Sequence, residues 1–489
     1  MTKPDYAWWV QHAHEDSACL QLLTGYETFK TRVLERAHAT GRTDLTTLVN
    51  HCTYRAMFEQ DRFGSMTTIL DDIHPIPVST GGRPLHGTLT TEFHALRDAE
   101  GTFPAVGASA FWAPWATRHN PAQLERKAQW AKDAGMTYVR WFGAHDWSGG
   151  VSLTTPNYFD LMHDTIDALA AHKLRSAITL FTRRHMIQNP AQSAKEWASV
   201  INAHRDAVCL VEICNEWNHS HNGWTDEDVQ TAGHALLEHC NAPVAFSAPA
   251  AETWDTMHAR LRDLYTNTAA TATTIHFPRR DDTHERAWRW VRQPWHARFL
   301  QGCPAFRVDN EHQSWNKSAS GKSVSEAAAA LCIALIAGCG MTAHHDEFGV
   351  WNLRGEYPHD VPSQQLQQVL RAVIPLLPAD LPNWQPVRVG EGGGPHPFPC
   401  LLDQHWSFDG DLDHGVSRAF AAVQPNNHPD RHFAMVLSGV KNYVRLRTVQ
   451  PRTFQVTSLE DGSTIYRGVG PVRLSHADGK AFYVGTDIT

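Results

Sequence analysis

The chain has no excess of basic residues. Its 489 residues contain 43 Lys and Arg against 51 Asp and Glu, which gives a net charge of -8 when histidine is counted as neutral. Proteins that bind nucleic acid or anionic membranes usually carry a basic surface, because phosphate groups supply the attraction. We therefore expect neither a nucleic-acid partner nor a membrane partner.

The sequence also lacks segments that would direct it into a membrane. Its first residues, Met1 to Tyr6, contain no apolar stretch of the kind that a signal peptide carries. The longest apolar run, Ala327 to Ala343, is too short for a membrane span and is interrupted by Gly338 and Gly340. These absences predict a cytoplasmic protein.

Cysteines are few and scattered. The chain has nine of them, an odd number, and no two are spaced as C-x-x-C. A disulfide framework or a zinc knuckle needs tighter, paired spacing. We expect buried thiols in a reducing compartment.

Three motifs of common enzyme classes are missing. Neither G-x-G-x-x-G nor G-x-x-x-x-G-K-[ST] follows the first strand-like run of the central region, which argues against a dinucleotide or nucleoside triphosphate site. The chain contains no G-x-S-x-G, so no serine nucleophile of the α/β-hydrolase type is indicated.

The chain is long enough for two or three domains and divides into three regions of different pattern. Residues 1–104 show helical hydrophobic spacing up to about residue 64, followed by short strands and turns. Residues 105–384 alternate apolar runs with amphipathic helices, and residues 385–489 contain short strands separated by turns. We predict an N-terminal helical extension with a short β region, a central α/β domain and a C-terminal β-sandwich.

The central region contains eight apolar runs of strand length, most of them joined by helical stretches. Parallel strands that are buried on both faces have this pattern, and eight of them predict a (β/α)8 TIM barrel. A doubly wound open sheet is the alternative. The eight runs are Ala105–Trp112, Thr137–Phe142, Leu174–Phe181, Val208–Cys214, Pro243–Ser247, Ala272–Phe277, Ala305–Val308 and Gly340–His344.

Two glutamates lie where barrel enzymes carry their active sites, at the carboxyl ends of strands. Asn215 and Glu216 follow the fourth run, and Asn310 and Glu311 follow the seventh. Cleavage of a glycosidic bond requires two carboxyl groups that face each other, since one protonates the leaving oxygen and the other acts at the anomeric carbon. We predict Glu216 and Glu311 as a catalytic pair.

With these motifs, the central region resembles clan A glycoside hydrolases, the retaining (β/α)8 group that includes the family 5 cellulases and mannanases. The resemblance implies that Glu216 is the general acid and base and that Glu311 is the nucleophile, on a β-linked oligosaccharide, polysaccharide or glycoside and without a cofactor. It also implies that Asn215 holds the sugar 2-hydroxyl and that Arg140 lies beside the nucleophile, where its charge would keep one carboxylate ionised.

The sequence departs from the clan pattern at strands six and eight. His276 matches the histidine of the clan's His-x-Tyr, but Pro278 stands where the tyrosine would be. The eighth run ends in His344 and His345 rather than in a sugar-stacking tryptophan, and Trp351 lies further on. We expect His276, His344, His345 and Trp351 to contact substrate. The departures mean that no single family of the clan is indicated.

Tryptophan is frequent, with 18 Trp against 10 Tyr. Sugar rings present C–H faces that stack on indole rings, so a carbohydrate cleft uses tryptophan. Trp112 ends the first run and Trp217 follows Glu216 directly, and both are predicted to line the sugar site. Core packing is the alternative role for such residues.

Two other functions stay open at the level of the sequence. The cluster His344-His345-Asp346-Glu347 would suit a metal-dependent barrel hydrolase, which metal analysis and chelation would reveal. A non-catalytic carbohydrate-binding barrel is the second alternative, and the missing strand-six tyrosine favours it. The oligomeric state is not indicated.

Overall fold

A three-stranded antiparallel meander precedes the barrel. It consists of β1 (Thr90–Glu92), β2 (Ala95–Asp98) and β3 (Gly101–Phe103), which pair in sequence order. The computed structural model describes residues 85–147, 149–250, 254–276, 302–312, 338–343 and 374–386, isolated helical residues from 331 to 371, and strand segments from 400 to 487.

Each of the eight predicted apolar runs overlaps a strand, and the eight strands form one parallel sheet. The sheet closes where the carbonyl of Val244 accepts hydrogen bonds from the amides of Thr271 and Ala272, both at 3.0 Å. The result is the predicted (β/α)8 barrel. Its strands are β4 (Val106–Ser109), β5 (Tyr138–Ala144), β6 (Arg175–Phe181), β7 (Val208–Cys214), β8 (Val244–Ala245), β9 (Thr273–Ile275), β10 (Arg307–His312) and β11 (Cys339–Ala343).

The meander closes the amino-terminal end of the barrel. Leu96 and Phe103 pack with barrel residues such as Leu210 and Phe306 in one buried cluster. Apolar contacts of this kind exclude water from the barrel floor. A buried ion pair between Arg175 of β6 and Asp98 of β2, at 3.2 Å, also joins the meander to the barrel. The opposite, carboxyl-terminal end carries the candidate site.

Helices surround the barrel and begin where the sequence offers helix-starting residues. Thr225 and Asp228 form a capping box at the start of one of them, and Asn189 caps another through the amide of Gln192. Among the described helices, none has the length and apolar character to cross a bilayer. The helices are α1 (Ala113–His119), α2 (Pro121–Asp133), α3 (Tyr158–Ala171), α4 (Pro190–Ala203), α5 (Asp226–Leu237) and α6 (Trp254–Tyr265).

The described C-terminal strands form two antiparallel sheets, one of six strands and one of three. This is consistent with the all-β region predicted there, while the sandwich arrangement and the domain boundaries stay predictions. The N-terminal helical extension lies outside the described residues. The strands are β12 (Gln385–Pro386), β13 (Cys400–His405), β14 (Ala419–Val423), β15 (Arg431–Val436), β16 (Tyr443–Thr448), β17 (Phe454–Ser458), β18 (Thr464–Gly468), β19 (Val472–Ser475) and β20 (Phe482–Asp487).

Candidate active site at the carboxyl end of the barrel

A buried ion pair lies inside the barrel, below the predicted site. Nη2 of Arg140, on β5, is 3.0 Å from Oε2 of Glu212 on β7, and both side chains are almost fully buried. The guanidinium also lies over the rings of Phe111 and Phe142, with its Cζ atom 5.3 and 4.8 Å from their centroids. Two buried charges are tolerated because each has its partner and further hydrogen bonds.

Glu212 connects several barrel strands. Its carboxylate accepts hydrogen bonds from Thr179 Oγ1 on β6 at 2.7 Å, from Thr274 Oγ1 on β9 at 2.6 Å and from the amide of Ala248 after β8 at 3.1 Å. These donors and Arg140 suit an ionised carboxylate, which only accepts. Sequence reasoning missed Glu212 because it lies within an apolar run. A charged residue in such a run was the available signal, since burial of an unpaired charge is costly.

Arg140 also orients Asn215, a contact that was not predicted from the sequence. The expected position of Arg140 beside the nucleophile stays a prediction. Nη2 of Arg140 donates to Oδ1 of Asn215 at 2.9 Å, and the amide of Asn215 donates to the carbonyl of Phe181 at 3.0 Å. Asn215 is 9% exposed, directly after β7. Because Oδ1 of Asn215 accepts a hydrogen bond from Arg140, the other end of the Asn215 side chain is its NH2 group, which is a donor.

Glu216 and His276, both predicted site residues, are in contact. Nδ1 of His276 is 3.0 Å from Oε1 of Glu216. The glutamate side chain is 23% exposed, whereas the imidazole is 3% exposed. Glu216 has a φ of +44°, which is unfavourable for a residue with a side chain and is often found at functional sites.

Glu311 lies near the end of β10, at an irregularity in the strand pairing. Asp309 pairs with Met341 and His312 pairs with Ala343, so two residues of β10 face one residue of β11. The two residues on the β10 side of this irregularity are Asn310 and Glu311, so a β-bulge lies at the predicted nucleophile. Bulges of this kind are over-represented next to active sites, where they redirect side chains.

The two tryptophans predicted to line the sugar site are buried. Trp112 is 1% exposed and Trp217 is 2% exposed, and both belong to the core between the barrel and its helices. Nε1 of Trp217 donates to Oδ1 of Asp226 at the start of α5, at 2.6 Å. An indole without an exposed face cannot stack on a sugar, so their burial favours the packing role.

The remaining predicted contacts lie outside the described residues, namely His344, His345 and Trp351. The metal alternative depends on the first two of these. Within the described part of the chain, no group of three or more His, Cys, Asp or Glu side chains is arranged to hold a metal ion.

An aromatic cluster adjoins Arg140 at the ends of β4 and β5. The rings of Phe111 and Phe142 stack with centroids 3.8 Å apart, and Trp147 lies 4.5 Å from the ring of His145. Burial lowers the pKa of His145 to about 4, although a hydrogen bond between its Nε2 and the Phe111 carbonyl at 3.2 Å acts in the opposite direction. His145 is therefore neutral in the folded protein at neutral pH.

This burial predicts a loss of stability in acid. Between about pH 6.5 and pH 4 the unfolded chain protonates His145 and the folded protein does not, so this contribution to the free energy of unfolding is complete above pH 6.5 and is lost as the pH falls to about 4. The expected loss is on the order of 3 kcal/mol. Urea unfolding at both pH values measures it.

The matched control is His145→Gln, which keeps a side-chain donor for the Phe111 carbonyl and does not titrate. All other ionisable groups are the same in both proteins, so the difference between their pH dependences isolates His145. Equal pH dependences of the wild type and His145→Gln would show that His145 does not contribute.

The comparisons with known proteins bear on the fold. No protein-family model matches this chain, and no curated protein matches it. Among solved structures, it is similar to a glycoside hydrolase family 5 protein from Bacteroides vulgatus ATCC 8482, with 12% identity and a TM-score of 0.56 over 82% of this chain and 94% of that chain. A second protein of that bacterium has 13% identity and a TM-score of 0.50, over 83% of this chain and 84% of that chain. At these identities the likeness supports the barrel fold.

Proposed function

We propose that this protein is a retaining glycoside hydrolase that cleaves β-linked saccharides, with Glu216 as general acid and base and Glu311 as nucleophile. The observation that carries the proposal is the geometry around Glu216. A partly exposed carboxyl at the carboxyl end of β7 contacts His276, and its neighbour Asn215 is oriented by Arg140. These residues come from three barrel strands and meet at one end of the barrel.

In the first step, Glu216 protonates the glycosidic oxygen while Glu311 attacks the anomeric carbon, so that a glycosyl-enzyme ester forms and the aglycone leaves. When His276 carries its proton on Nδ1, it donates to Oε1 of Glu216 and holds the carboxyl in place. In the second step, Glu216 removes a proton from water, and the water releases the sugar from Glu311.

Arg140 and Glu212 support this chemistry from below. The arginine presents the NH2 end of Asn215 for a sugar hydroxyl, and Glu212 balances its charge. Asn215 is a suitable donor for the 2-hydroxyl, whose hydrogen bond strengthens in the transition state of glycoside hydrolysis. The positive φ of Glu216 and the bulge at Glu311 further support the assignment, since strain and bulges are frequent at functional sites.

The test is a panel of aryl glycosides of mono- and disaccharides, together with soluble β-glucan and β-mannan, assayed with the wild type, Glu216→Gln and Glu311→Gln. We expect the wild type to cleave at least one substrate with retention of the anomeric configuration, as observed by NMR during the reaction. Glu311→Gln is expected to be inactive on it, because glutamine does not attack the anomeric carbon. Glu216→Gln is expected to be inactive on substrates with poor leaving groups, because glutamine does not donate an acidic proton.

Inversion of the product, or wild-type turnover by either glutamine variant, would contradict the proposed mechanism. Binding of these saccharides by the wild type without cleavage would instead favour a non-catalytic carbohydrate-binding barrel.

A further inference from the structure

The backbone at Glu216 is held in an unfavourable conformation by its surroundings. Its φ of +44° is unfavourable for a residue with a Cβ atom, so neighbouring groups must stabilise it. On one side, Ser247 Oγ donates to the carbonyl of Cys214 at 2.5 Å and accepts from the amide of Trp217 at 3.3 Å. These contacts hold the residues on either side of the Asn215–Glu216 pair.

On the other side, Asn222 contacts the pair itself. Its Nδ2 group donates to the carbonyl of Asn215 and to the carbonyl of Glu216, each at 3.0 Å. The side chain is 9% exposed, so little water competes with these bonds. Asn222 is itself held by its backbone, since its amide donates to the carbonyl of His219 and its carbonyl accepts from the amide of Arg184, both at 2.8 Å.

From this geometry we infer that Asn222 is a positioning residue for the general acid, a role that rests on the proposed function. One NH2 group joins the two consecutive carbonyls that bracket the Glu216 residue, and so holds its left-handed backbone. That backbone directs the side chain towards His276. Without the two bonds, the turn relaxes towards negative φ, which changes the direction of the Cα–Cβ bond and withdraws the carboxyl from the leaving oxygen.

This role has a specific kinetic signature. A misplaced general acid matters most when the leaving group is basic and needs a proton, and least when the leaving group departs as a stable anion. The value of kcat/KM reports the steps up to formation of the glycosyl-enzyme. A loss of this kind therefore appears with methylphenyl glycosides and is small with dinitrophenyl glycosides.

The experiment measures kcat/KM of Asn222→Ala on both aryl glycosides of the sugar that the substrate panel identifies. We expect a loss of about 10- to 100-fold for the methylphenyl glycoside and of less than about 3-fold for the dinitrophenyl glycoside, a fraction of the full contribution of a general acid. Asn222→Ser, which keeps one donor on a shorter side chain, is expected to fall between the wild type and Asn222→Ala. It also provides a test if the alanine variant does not fold.

Asn218→Ala is the matched control. Asn218 lies in the same loop and also makes two side-chain hydrogen bonds to backbone, but both go to Ala250, at 2.9 and 2.8 Å. Its replacement removes a comparable number of bonds without touching the carbonyls of Asn215 or Glu216. We expect Asn218→Ala to change kcat/KM equally for both leaving groups.

Equal losses for both leaving groups in Asn222→Ala, or no loss in either, would overturn the positioning role. Glu216→Gln, measured on the same two substrates, separates this failure from a failure of the proposed function. If Glu216→Gln shows a strong leaving-group dependence and Asn222→Ala shows none, only the role of Asn222 is wrong. If Glu216→Gln shows none, the assignment of Glu216 as the general acid is wrong as well.

Discussion

Replacement of Glu311 by alanine is expected to lower kcat/KM by at least about a thousandfold, because removal of a nucleophile eliminates the covalent step and leaves only binding and electrostatic effects. Glu216→Ala is expected to lose a similar factor on substrates with poor leaving groups, since general acid catalysis contributes about 10²- to 10⁴-fold. Initial rates on the substrate from the panel measure both losses.

Azide distinguishes the two roles through the configuration of the product. Each displacement at the anomeric carbon inverts it. In Glu311→Ala, azide replaces the missing nucleophile in a single displacement, so the glycosyl azide has the inverted configuration. In Glu216→Ala, Glu311 still forms the glycosyl-enzyme and azide attacks it, so two displacements give the retained configuration. NMR of the isolated azides identifies each product.

Glu196→Ala is the control for these variants. Glu196 is an exposed residue of α4 whose carboxylate accepts a hydrogen bond from Gln192 on the same helix, at 3.1 Å. We expect wild-type kinetics from it. If Glu216→Ala gave the inverted glycosyl azide and Glu311→Ala the retained one, the roles of the two glutamates would be reversed. Wild-type-like activity in Glu311→Ala would show that Glu311 is not the nucleophile.

The second large effect is expected on stability, from Glu212→Gln. The substitution keeps the size of the side chain but removes the negative charge that faces Arg140. It also points an NH2 group at the two hydroxyls and the backbone amide that donate to the carboxylate in the wild type. Breaking one partner of a buried ion pair costs about 3–5 kcal/mol, because the other charge stays buried and uncompensated. Urea unfolding followed by tryptophan fluorescence measures the loss as a lower midpoint.

A double-mutant cycle with Arg140→Met isolates the pair. If the two groups are coupled as their 3.0 Å contact indicates, the double variant loses much less than the sum of the single losses. If the stability losses of the two single variants simply add up in the double variant, the ion pair contributes little to stability. The loss in each single variant then comes from the other contacts of that residue. A small loss in Glu212→Gln alone would contradict the central role of this carboxylate.

The sequence by itself was sufficient for the barrel. Its eight strands could be located because a parallel strand buried on both faces is largely apolar, and this constraint acts on contiguous residues. The candidate site could be predicted for a related reason. In a barrel the carboxyl ends of the strands converge at one end, so the polar residues that follow apolar runs, among them Asn215 and Glu216, are necessarily near one another.

Other features depended on partners that are distant in sequence. Glu212 and Arg140 are 72 residues apart, and no local pattern indicates that they meet. The burial of Trp112 and Trp217 was likewise undetermined, since a tryptophan at a strand end packs in a core or lines a cleft according to what covers it. The partners of Asn222 are close in sequence, but its contacts with two carbonyls depend on the fold of the loop, which no sequence pattern indicates.

The sequence determines some features and only the tertiary structure determines others, because some depend on neighbouring residues and others on residues far apart in the chain. Hydrophobic periodicity is a property of each segment and determines which segments become strands or helices, and hence the fold class. The direction of Glu216, the bulge at Glu311 and the network around Glu212 arise when strands from different parts of the chain come into register. Only the tertiary structure decides these, because hydrogen bonds require donor and acceptor to be within about 3 Å of each other.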